Sequence, residues 1–245
     1  DALPISVAPE GTPCDLAAVR QRLASSAATR NVLSGNPGNW AYNNYAFSVL
    51  GMAVELAEQR TLDEILYESL YGPLNIDAAF YTGEIERTDL LAEIYREDDS
   101  MGLSLASQQS RVSDGIPGSD GITFAGGLTI SAYDLGKIVA LLANDGVYEG
   151  GRYIQPEVIA GLEQHRDARI AGGFYQGQPL RYRTWAYGQS KLYYHTGSAY
   201  GVYNLISYNP VTRAGVVVLT TGASGAKDAY GIYAVCGEIS QLLYQ

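Results

Sequence analysis

The C-terminal part of the sequence most constrains the fold, because β-rich runs are followed there by a helical pattern. The runs cover residues 191–195, 202–208 and 215–220, and Asn209-Pro210-Val211-Thr212-Arg213 between the last two is a turn sequence. Apolar residues then recur at helical spacing, in the order Ile232, Val235, Cys236, Ile239, Leu242 and Leu243. These patterns predict an antiparallel sheet covered by a C-terminal helix.

Capping residues predict several helices before that sheet. Asp15 can cap a short helix, and apolar residues spaced four, three and four apart predict a helix from Tyr45. Thr61 and Glu64 have the spacing of a capping box, and Gly72-Pro73 should end the helix that they begin.

Two further helices are expected closer to the sheet. Ser131 can cap one of them, with Asp134 at its third position and Asn144-Asp145-Gly146 at its end, and Pro156 suits the first turn of the other. The stretch 81–124 is polar and irregular, and we expect only surface structure there. The sequence therefore predicts an α+β fold.

The order of these elements predicts three parts. Residues 1–14 form a surface arm, 15–124 form a helical lobe, and 125–245 carry the sheet with its helices. The second and third parts are expected to form one domain.

Composition argues against several classes of partner. The chain has 16 basic and 26 acidic residues, a formal charge of -10 and no cluster of Lys and Arg, so we expect neither nucleic acid nor an anionic membrane as a partner. No apolar run approaches the roughly 20 residues of a membrane span, and residues 1–8 lack the pattern of a leader. Three lysines, 20 tyrosines and only four phenylalanines favour an extracytoplasmic, secreted or cell-envelope protein.

Cysteine and histidine are too sparse to suggest a metal site. Cys14 and Cys236 lie far apart without C-x-x-C spacing, and neither His165 nor His195 has a partner at ligand spacing. We therefore expect no metal and no cofactor. Cys236 falls on the apolar helical stripe, so a buried thiol is expected, with a disulfide to Cys14 as the alternative.

The segment around His195 has the pattern of a binding edge. Residues 193–208 are interpreted as a strand, a bend and a second strand, with small residues at 196–198 that let another molecule approach the backbone closely. Exposed N–H groups at such an edge could bind an acyl group. A plain strand and turn is the alternative interpretation.

Motifs in three separate stretches occur in a familiar order. Residues 37–51 contain the one Tyr-x-Asn of the chain, Tyr42-Asn43-Asn44, residues 125–128 read Ala-Gly-Gly-Leu, and His195-Thr196-Gly197 follows. Together they resemble the serine β-lactamase and penicillin-binding-protein superfamily, in the class C-like branch that includes D-aminopeptidases and esterases. The resemblance covers about residues 15–245. It implies an antiparallel sheet flanked by helices beside a helical lobe, and transfer of an acyl group from a small-molecule or peptide substrate to a serine.

The resemblance also implies catalytic and substrate-binding residues. Tyr42 would relay the proton of the nucleophile to the leaving group, which requires a nearby cation to lower its pKa from about 10. Asn44 would orient the substrate amide and a catalytic lysine. Ser198 would donate its backbone N–H to the oxyanion hole, and Thr196 and Gly197 would shape the binding edge.

Each of these positions also has a purely structural interpretation. Asn43 or Asn44 could cap the helix that starts at Tyr45. Tyr42 could be one packing tyrosine among 20, and His195 could be a half-buried histidine with its hydrogen bonds satisfied. The presence of all three motifs in order favours a site that includes Tyr42 and His195.

The nucleophile of the superfamily is where this sequence departs from the pattern. The serine of a Ser-x-x-Lys motif precedes Tyr-x-Asn in the family, and no such motif precedes Tyr42 here. Ser224-Gly225-Ala226-Lys227 has the spacing but follows the last strand, so we interpret Ser224 as a loop or cap residue. Either this chain is the C-terminal portion of a longer serine hydrolase, completed by an N-terminal segment or a second chain, or it is a pseudoenzyme that keeps the cleft as a binding module.

His195 replaces the lysine that is common at this position of the family. With a reference pKa near 6.5, histidine is mostly neutral at pH 7, so a substrate carboxylate loses one anchor. We therefore expect peptidase, amidase or esterase activity rather than efficient hydrolysis of β-lactams.

Overall fold

A computed structural model gives the architecture of the chain. It describes residues 14–24, 44–164, 169–170, 173–177 and 179–245. The described residues fall into two compact units, a first within 1–88 and 109–129 and a second within 89–108 and 130–245.

The first described elements of the first unit are helices. Helix α1 spans Leu16–Ala24, and the Asp15 carboxylate accepts a hydrogen bond from the N–H of Ala18 at 2.8 Å. Helix α2 spans Asn44–Glu58. The predicted capping box is confirmed at α3, Leu62–Leu66, where Thr61 and Glu64 each accept the backbone N–H of the other.

The helical path of α3 continues further than its sequence predicts. A π-helical turn, Tyr67–Tyr71, follows α3 and leads into the short helix α4, Gly72–Leu74. Pro73 lies in the first turn of α4, a position where the fixed φ of proline suits a helix. The chain leaves the helix at Asn75 in a left-handed conformation, so the expected stop at Gly72-Pro73 is wrong.

The core of the first unit includes a residue expected in the surface arm. Cys14 is only 2% exposed and packs with Val19, Met52 and Phe124, and its Sγ lies 3.4 Å from Met52 Sδ. Position 14 is therefore part of the core rather than of an exposed arm. The rest of the predicted arm, residues 1–13, lies outside the described residues.

A buried carboxylate ties a loop to the helices of this unit. Glu55, 4% exposed near the end of α2, accepts the N–H of Leu62 with one oxygen and that of Gly118 with the other, both at 2.8 Å. Burial raises the pKa of Glu55, and the two N–H donors work against that shift. Its side chain thus fixes the start of α3 and the loop at residue 118 to the same point.

The stretch 81–124 is more ordered than its composition predicts. Strands β2 (Ile94–Tyr95) and β3 (Met101–Leu103) form an antiparallel hairpin, and helix α5 covers Leu105–Gln109. In chain order they lie between strand β1, Ala78–Ala79, and strand β4, Thr129–Ile130. The expectation of irregular surface structure alone is wrong, because very short strands leave no periodic pattern in the sequence.

The second unit is built on a six-stranded sheet with the order β12-β11-β10-β9-β8-β7, and the pairs in it are antiparallel. The strands of this sheet are β7 (Arg169–Ile170), β8 (Phe174–Gln176), β9 (Arg181–Arg183), β10 (Leu192–Ala199), β11 (Val202–Tyr208) and β12 (Gly215–Val218). A separate two-stranded pair joins β5 (Val147–Tyr148) and β6 (Gly151–Arg152). The predicted meander of the last three strands is confirmed.

Helices cover both faces of this sheet. Helix α6 spans Ala132–Ala143, with the Ser131 hydroxyl accepting the N–H of Asp134 as predicted, and α7 spans Pro156–Glu163. Both helices pack with the face that carries Tyr182, Tyr193 and Tyr208. The opposite face packs against Ile232 and Cys236, near and within α8, Ala234–Leu243.

The C-terminal helix buries only part of its predicted stripe. Cys236 is fully buried, whereas Leu242 and Leu243 are exposed at the last turn. Cys236 and Cys14 are both free thiols, so the alternative of a disulfide between them is wrong. None of the helices in the described part of the chain combines the length and apolar character needed to cross a bilayer.

Candidate functional site

The predicted site residues fall in different parts of the structure. Tyr42 lies outside the described residues. Asn44 is the first residue of α2 in the first unit. A cap would occupy the position before it, Asn43, which also lies outside the described residues. The remaining candidates, His195 to Ser198, are all brought together on strand β10 of the second unit.

Strand β10 continues past the small residues that were expected to bend it. It pairs with β11 from Tyr193 to Ala199, and a two-residue turn at Tyr200 and Gly201 closes the hairpin. Both turn residues have positive φ, 55° and 100°, which is the requirement of the turn that matches strand twist. The predicted bend at 196–198 is therefore wrong, and these residues form a straight strand end.

One side of this strand end has no strand partner in the described part of the chain. Strand β9 pairs with β10 only from Leu192 to Tyr194, so the backbone of residues 195–199 extends beyond it. The opposite partner of Ser198 is Tyr203, whose N–H donates to Thr220 Oγ1 at 3.0 Å and whose carbonyl accepts from the same hydroxyl at 2.7 Å.

These bonds determine the direction of the Ser198 backbone. Since both main-chain groups of Tyr203 point toward Thr220 and away from β10, Ser198 and Tyr203 form a non-hydrogen-bonded pair. The N–H of Ser198 therefore points to the unpaired side of β10, and Ser198 itself is exposed. An N–H in this position can donate to a carbonyl oxygen that approaches the edge.

His195 is neutral at this edge. Burial, and secondly the charge of Arg181, lower the pKa of the half-buried His195 imidazole to about 4, although a hydrogen bond with the Thr196 backbone works in the opposite direction. Protonated histidine is therefore a negligible species at pH 7. Position 195 contributes a polar ring and no positive charge.

A cation beside the motif comes from a residue that sequence reasoning missed. Arg181 on β9 donates from Nη1 to Thr196 Oγ1 at 3.4 Å. Nothing in the sequence marks Arg181 as special, because it reaches Thr196 only through the pairing of two strands. The alternation of arginines at positions 181 and 183 is the one local pattern that could have suggested a strand there.

The β2–β3 hairpin holds the tip of β10 and β11. A side chain at Gly201 would overlap the carbonyl oxygen of Tyr95, and one at Gly102 would overlap that of Tyr200. The N–H of Tyr95 also donates to Thr221 Oγ1 at 2.8 Å. The backbone-to-backbone contact at these two glycines fixes the strand end that carries Ser198.

Comparison with known proteins assigns this arrangement to a family. The family model described as "Beta-lactamase" matches residues 7–235. The chain belongs to the β-lactamase family. Among solved structures, a class C β-lactamase from Rhodobacter sphaeroides matches 99% of this chain and 68% of its own, with 16% identity and a TM-score of 0.67. A D-amino acid amidase from Ochrobactrum anthropi SV3 matches 84% of this chain and 56% of its own, with 19% identity and a TM-score of 0.59.

The curated relatives of this β-lactamase-family chain are longer than it is. Protein Rv1367c of Mycobacterium tuberculosis strain H37Rv is 27% identical over 157 residues, which are 58% of this chain and 36% of that protein. The match thus covers 36% of that relative, and 68% and 56% of the two solved structures. The structural matches show the fold, and they confirm the predicted β-lactamase-like α+β architecture.

The single Ser-x-x-Lys sequence of this β-lactamase-family chain does not have the geometry of a nucleophile pair. Ser224 lies in an exposed loop and its hydroxyl accepts the N–H of Ala226 at 3.3 Å. Lys227 lies over the ring of Tyr233, 5.7 Å from its centroid. The two side chains are not held one helical turn apart, and the interpretation of Ser224 as a loop residue is confirmed.

Metal ligands are not clustered in the described ranges. Among these residues, three or more side chains of His, Cys, Asp or Glu do not come together in a group that could hold an ion.

Proposed function

We propose that this chain belongs to a serine hydrolase of the β-lactamase type that forms an acyl-enzyme on a peptide, amide or ester. The observation that supports it most is the unpaired edge of β10, where the N–H of Ser198 points outward beside the side-chain-free Gly197. A substrate carbonyl lying against this edge would accept that N–H. Removing one such donor typically costs about 3 kcal/mol of transition-state stabilisation.

In the proposed reaction, a serine oxygen bonds to the substrate carbonyl carbon, and the carbonyl oxygen becomes an oxyanion held by Ser198. Tyr42 accepts the serine proton and passes it to the leaving nitrogen or oxygen as that bond breaks. A water oxygen then attacks the carbonyl carbon of the acyl-enzyme while Tyr42 accepts a proton of that water. Tyr42 passes the proton to the serine oxygen as the acyl group leaves. Asn44 orients the substrate amide and the lysine that keeps Tyr42 ionisable.

The nucleophile and the lysine are proposed to come from polypeptide outside this sequence, either an N-terminal segment or a second chain. The short coverage of relatives supports this proposal, as does the geometry of Ser224. In the described part of the sheet, β12 pairs only with β11, so its outer edge can accept a further strand.

A binding module without catalysis is the second candidate. The observation that favours it is that the Ser-x-x-Lys of this sequence is not helical, so Ser224 lacks the arrangement of an activated serine. Such a module would use the same edge to bind an acyl compound without cleaving it.

Covalent labelling separates the two candidates. The full-length gene product is treated with a fluorophosphonate or with fluorescent penicillin, and adduct is detected by intact mass. We expect a one-to-one adduct on a serine outside residues 1–245, which peptide mapping locates. Absence of an adduct with both reagents, together with reversible binding of the same penicillin, would support the binding module instead.

A further inference from the structure

We propose that Thr220 is a positioning residue for the oxyanion donor. Its hydroxyl holds the main chain of Tyr203 on the β12 side, and this fixes the place of the Ser198 N–H at the open edge of β10. The inference rests on the proposed function and deepens it, because it assigns the placement of that N–H to one side chain. Thr220 does not touch the substrate and acts only through Tyr203 and Ser198.

Thr220 takes the place of a strand partner beyond the end of β12. The last paired residues of β11 and β12 are Leu205 and Val218, so Tyr203 lies past the end of the backbone ladder. Two residues further in the same register, the Thr220 hydroxyl accepts the N–H of Tyr203 at 3.0 Å and donates to its carbonyl at 2.7 Å. One side chain thus supplies both hydrogen bonds that a paired strand residue would supply.

Two neighbouring side chains complete this arrangement. The N–H of Thr220 donates to Asn204 Oδ1 at 3.0 Å, so each segment uses a side chain to bind the backbone of the other. The Sγ of Cys236 on α8 donates to the carbonyl of Tyr203 at 3.3 Å. That carbonyl therefore keeps a donor when the Thr220 hydroxyl is removed, whereas the N–H of Tyr203 loses its acceptor.

The end of β10 takes its position from the end of β11. In the described part of the chain, residues 195–199 have a strand partner only on the β11 side. The β2–β3 hairpin contacts the turn at Gly201, and Thr220 holds β11 between that turn and its last pair with β12. A shift of Tyr203 would therefore move Ser198 opposite it, and with it the N–H that donates to the oxyanion.

The chemistry of the clasp requires a hydroxyl. A hydroxyl can accept one hydrogen bond and donate another, which is what the N–H and the carbonyl of a single residue need. Valine has the shape of threonine and lacks both functions, whereas serine keeps both and loses only the methyl group. Replacing Thr220 by each of these residues separates hydrogen bonding from packing.

The test follows acylation of the full-length protein by fluorescent penicillin at several concentrations. This gives the rate constant of acylation and the dissociation constant of the noncovalent complex. In Thr220→Val the rate constant should fall on the order of 10-fold, because a displaced donor stabilises the developing oxyanion less. The dissociation constant should change by less than about 3-fold, since that charge is absent from the bound ground state. Thr220→Ser should keep both constants within about 3-fold of the wild type.

Thr212→Val is the matched control. The Thr212 hydroxyl lies in the turn at the opposite end of the β11–β12 pair, where it accepts the N–H of Ala214 and donates to Gln189 Oε1, both at 3.4 Å. The same chemical change there should leave the rate constant of acylation unchanged, whatever it does to the melting temperature measured by calorimetry. An unchanged rate constant in Thr220→Val, or equal falls in Thr220→Val and in either Thr220→Ser or Thr212→Val, overturns the proposal.

Failure of the proposed function is a separate outcome. If the wild type forms no adduct with penicillin or with a fluorophosphonate, the proposed function fails and the NMR signal of the Ser198 amide decides the proposal. Penicillin should then shift this signal in the wild type and not in Thr220→Val. An equal shift in both proteins, or no shift in the wild type, overturns the proposal.

A measurement on the wild type covers the case in which Thr220→Val does not fold. The amide of Tyr203 should be protected from hydrogen exchange although it lies past the last β11–β12 pair, because the Thr220 hydroxyl binds it. The amide of Ser198 should exchange as fast as those of exposed loops. Unprotected exchange at Tyr203, or strong protection at Ser198, overturns the proposal.

Discussion

Ser198 and Tyr203 face each other across the β10–β11 hairpin without exchanging backbone hydrogen bonds. Tyr203 uses both of its main-chain groups on Thr220, and Ser198 directs its own to the open side of the sheet. The strand can therefore donate from Ser198 without losing a bond of its own ladder.

This pair predicts that two substitutions of Ser198 will differ strongly in their effect on the rate of acylation. Ser198→Pro removes the N–H but breaks no bond to β11, so the rate of acylation should fall on the order of 100-fold. Ser198→Ala keeps the N–H and should acylate at a rate within a few-fold of the wild type. The measurement is the rate of labelling of the full-length protein by fluorescent penicillin. Equal rates for both variants would show that this N–H does not hold the oxyanion.

The glycine contact at the hairpin tip predicts a loss of stability. Gly201→Ala places a methyl group against the carbonyl of Tyr95 at a backbone φ of 100°, and should lower the free energy of unfolding by about 1–3 kcal/mol. Gly136→Ala in α6 is the matched control, since its methyl group meets open space and should stabilise the helix by about 0.5–1 kcal/mol. Calorimetric unfolding of both variants tests this, and a neutral Gly201→Ala would contradict the tight contact.

His195 should titrate well below an ordinary histidine. Its pKa of about 4 in the folded protein lies under the reference value near 6.5, so the unfolded chain binds more protons between these values. The contribution of His195 to stability is therefore present above about pH 6.5 and is lost as the pH falls toward 4.

Proton NMR titration of the imidazole measures this pKa directly, and His195→Gln assigns its signal, because the chain has only one other histidine. A midpoint between pH 6 and 7 would show that the ring is solvated, contrary to the structure. The variant should also lose less stability than the wild type between about pH 6.5 and 4.

The carboxylate of Glu55 should contribute more to the free energy of unfolding than an ordinary helical glutamate. Glu55→Gln replaces one acceptor by an NH₂ group, so the N–H of Leu62 or of Gly118 loses its partner in a buried place, at a cost of about 1–3 kcal/mol. Glu58→Gln, on the exposed side of the same helix, should change stability by less than about 0.5 kcal/mol. Denaturant unfolding compares the two, and equal effects would mean that the loop at residue 118 is not held through Glu55.

Regular elements with local determinants could be predicted from the sequence. Strand β11 covers the predicted residues 202–208, and the caps at Thr61 and Ser131 form as expected, because each depends on neighbours within four positions. The bend predicted at 196–198 is wrong, because small residues are typical of turns but also occur within strands. The structure instead turns at Tyr200, where a tyrosine with positive φ is an uncommon choice.

The site could be predicted only as far as its motif extends. His195 to Ser198 were found because they are contiguous, whereas the outward direction of the Ser198 N–H depends on the register that the turn at Gly201 imposes. Arg181 could not be found in this way. Its place beside Thr196 results from the pairing of β9 with β10 across an intervening loop, which no local pattern encodes.

The two cysteines give this protein a built-in pair of chemical reporters. Cys14 lies in the core of the first unit and Cys236 in that of the second, and burial raises the pKa of each thiol to about 11. The thiolate is the form that attacks an alkylating reagent, so we expect both sulfurs to react slowly until their surroundings open. The order in which the two cysteines become alkylated under mild denaturant would therefore show which unit unfolds first, and no other label is needed.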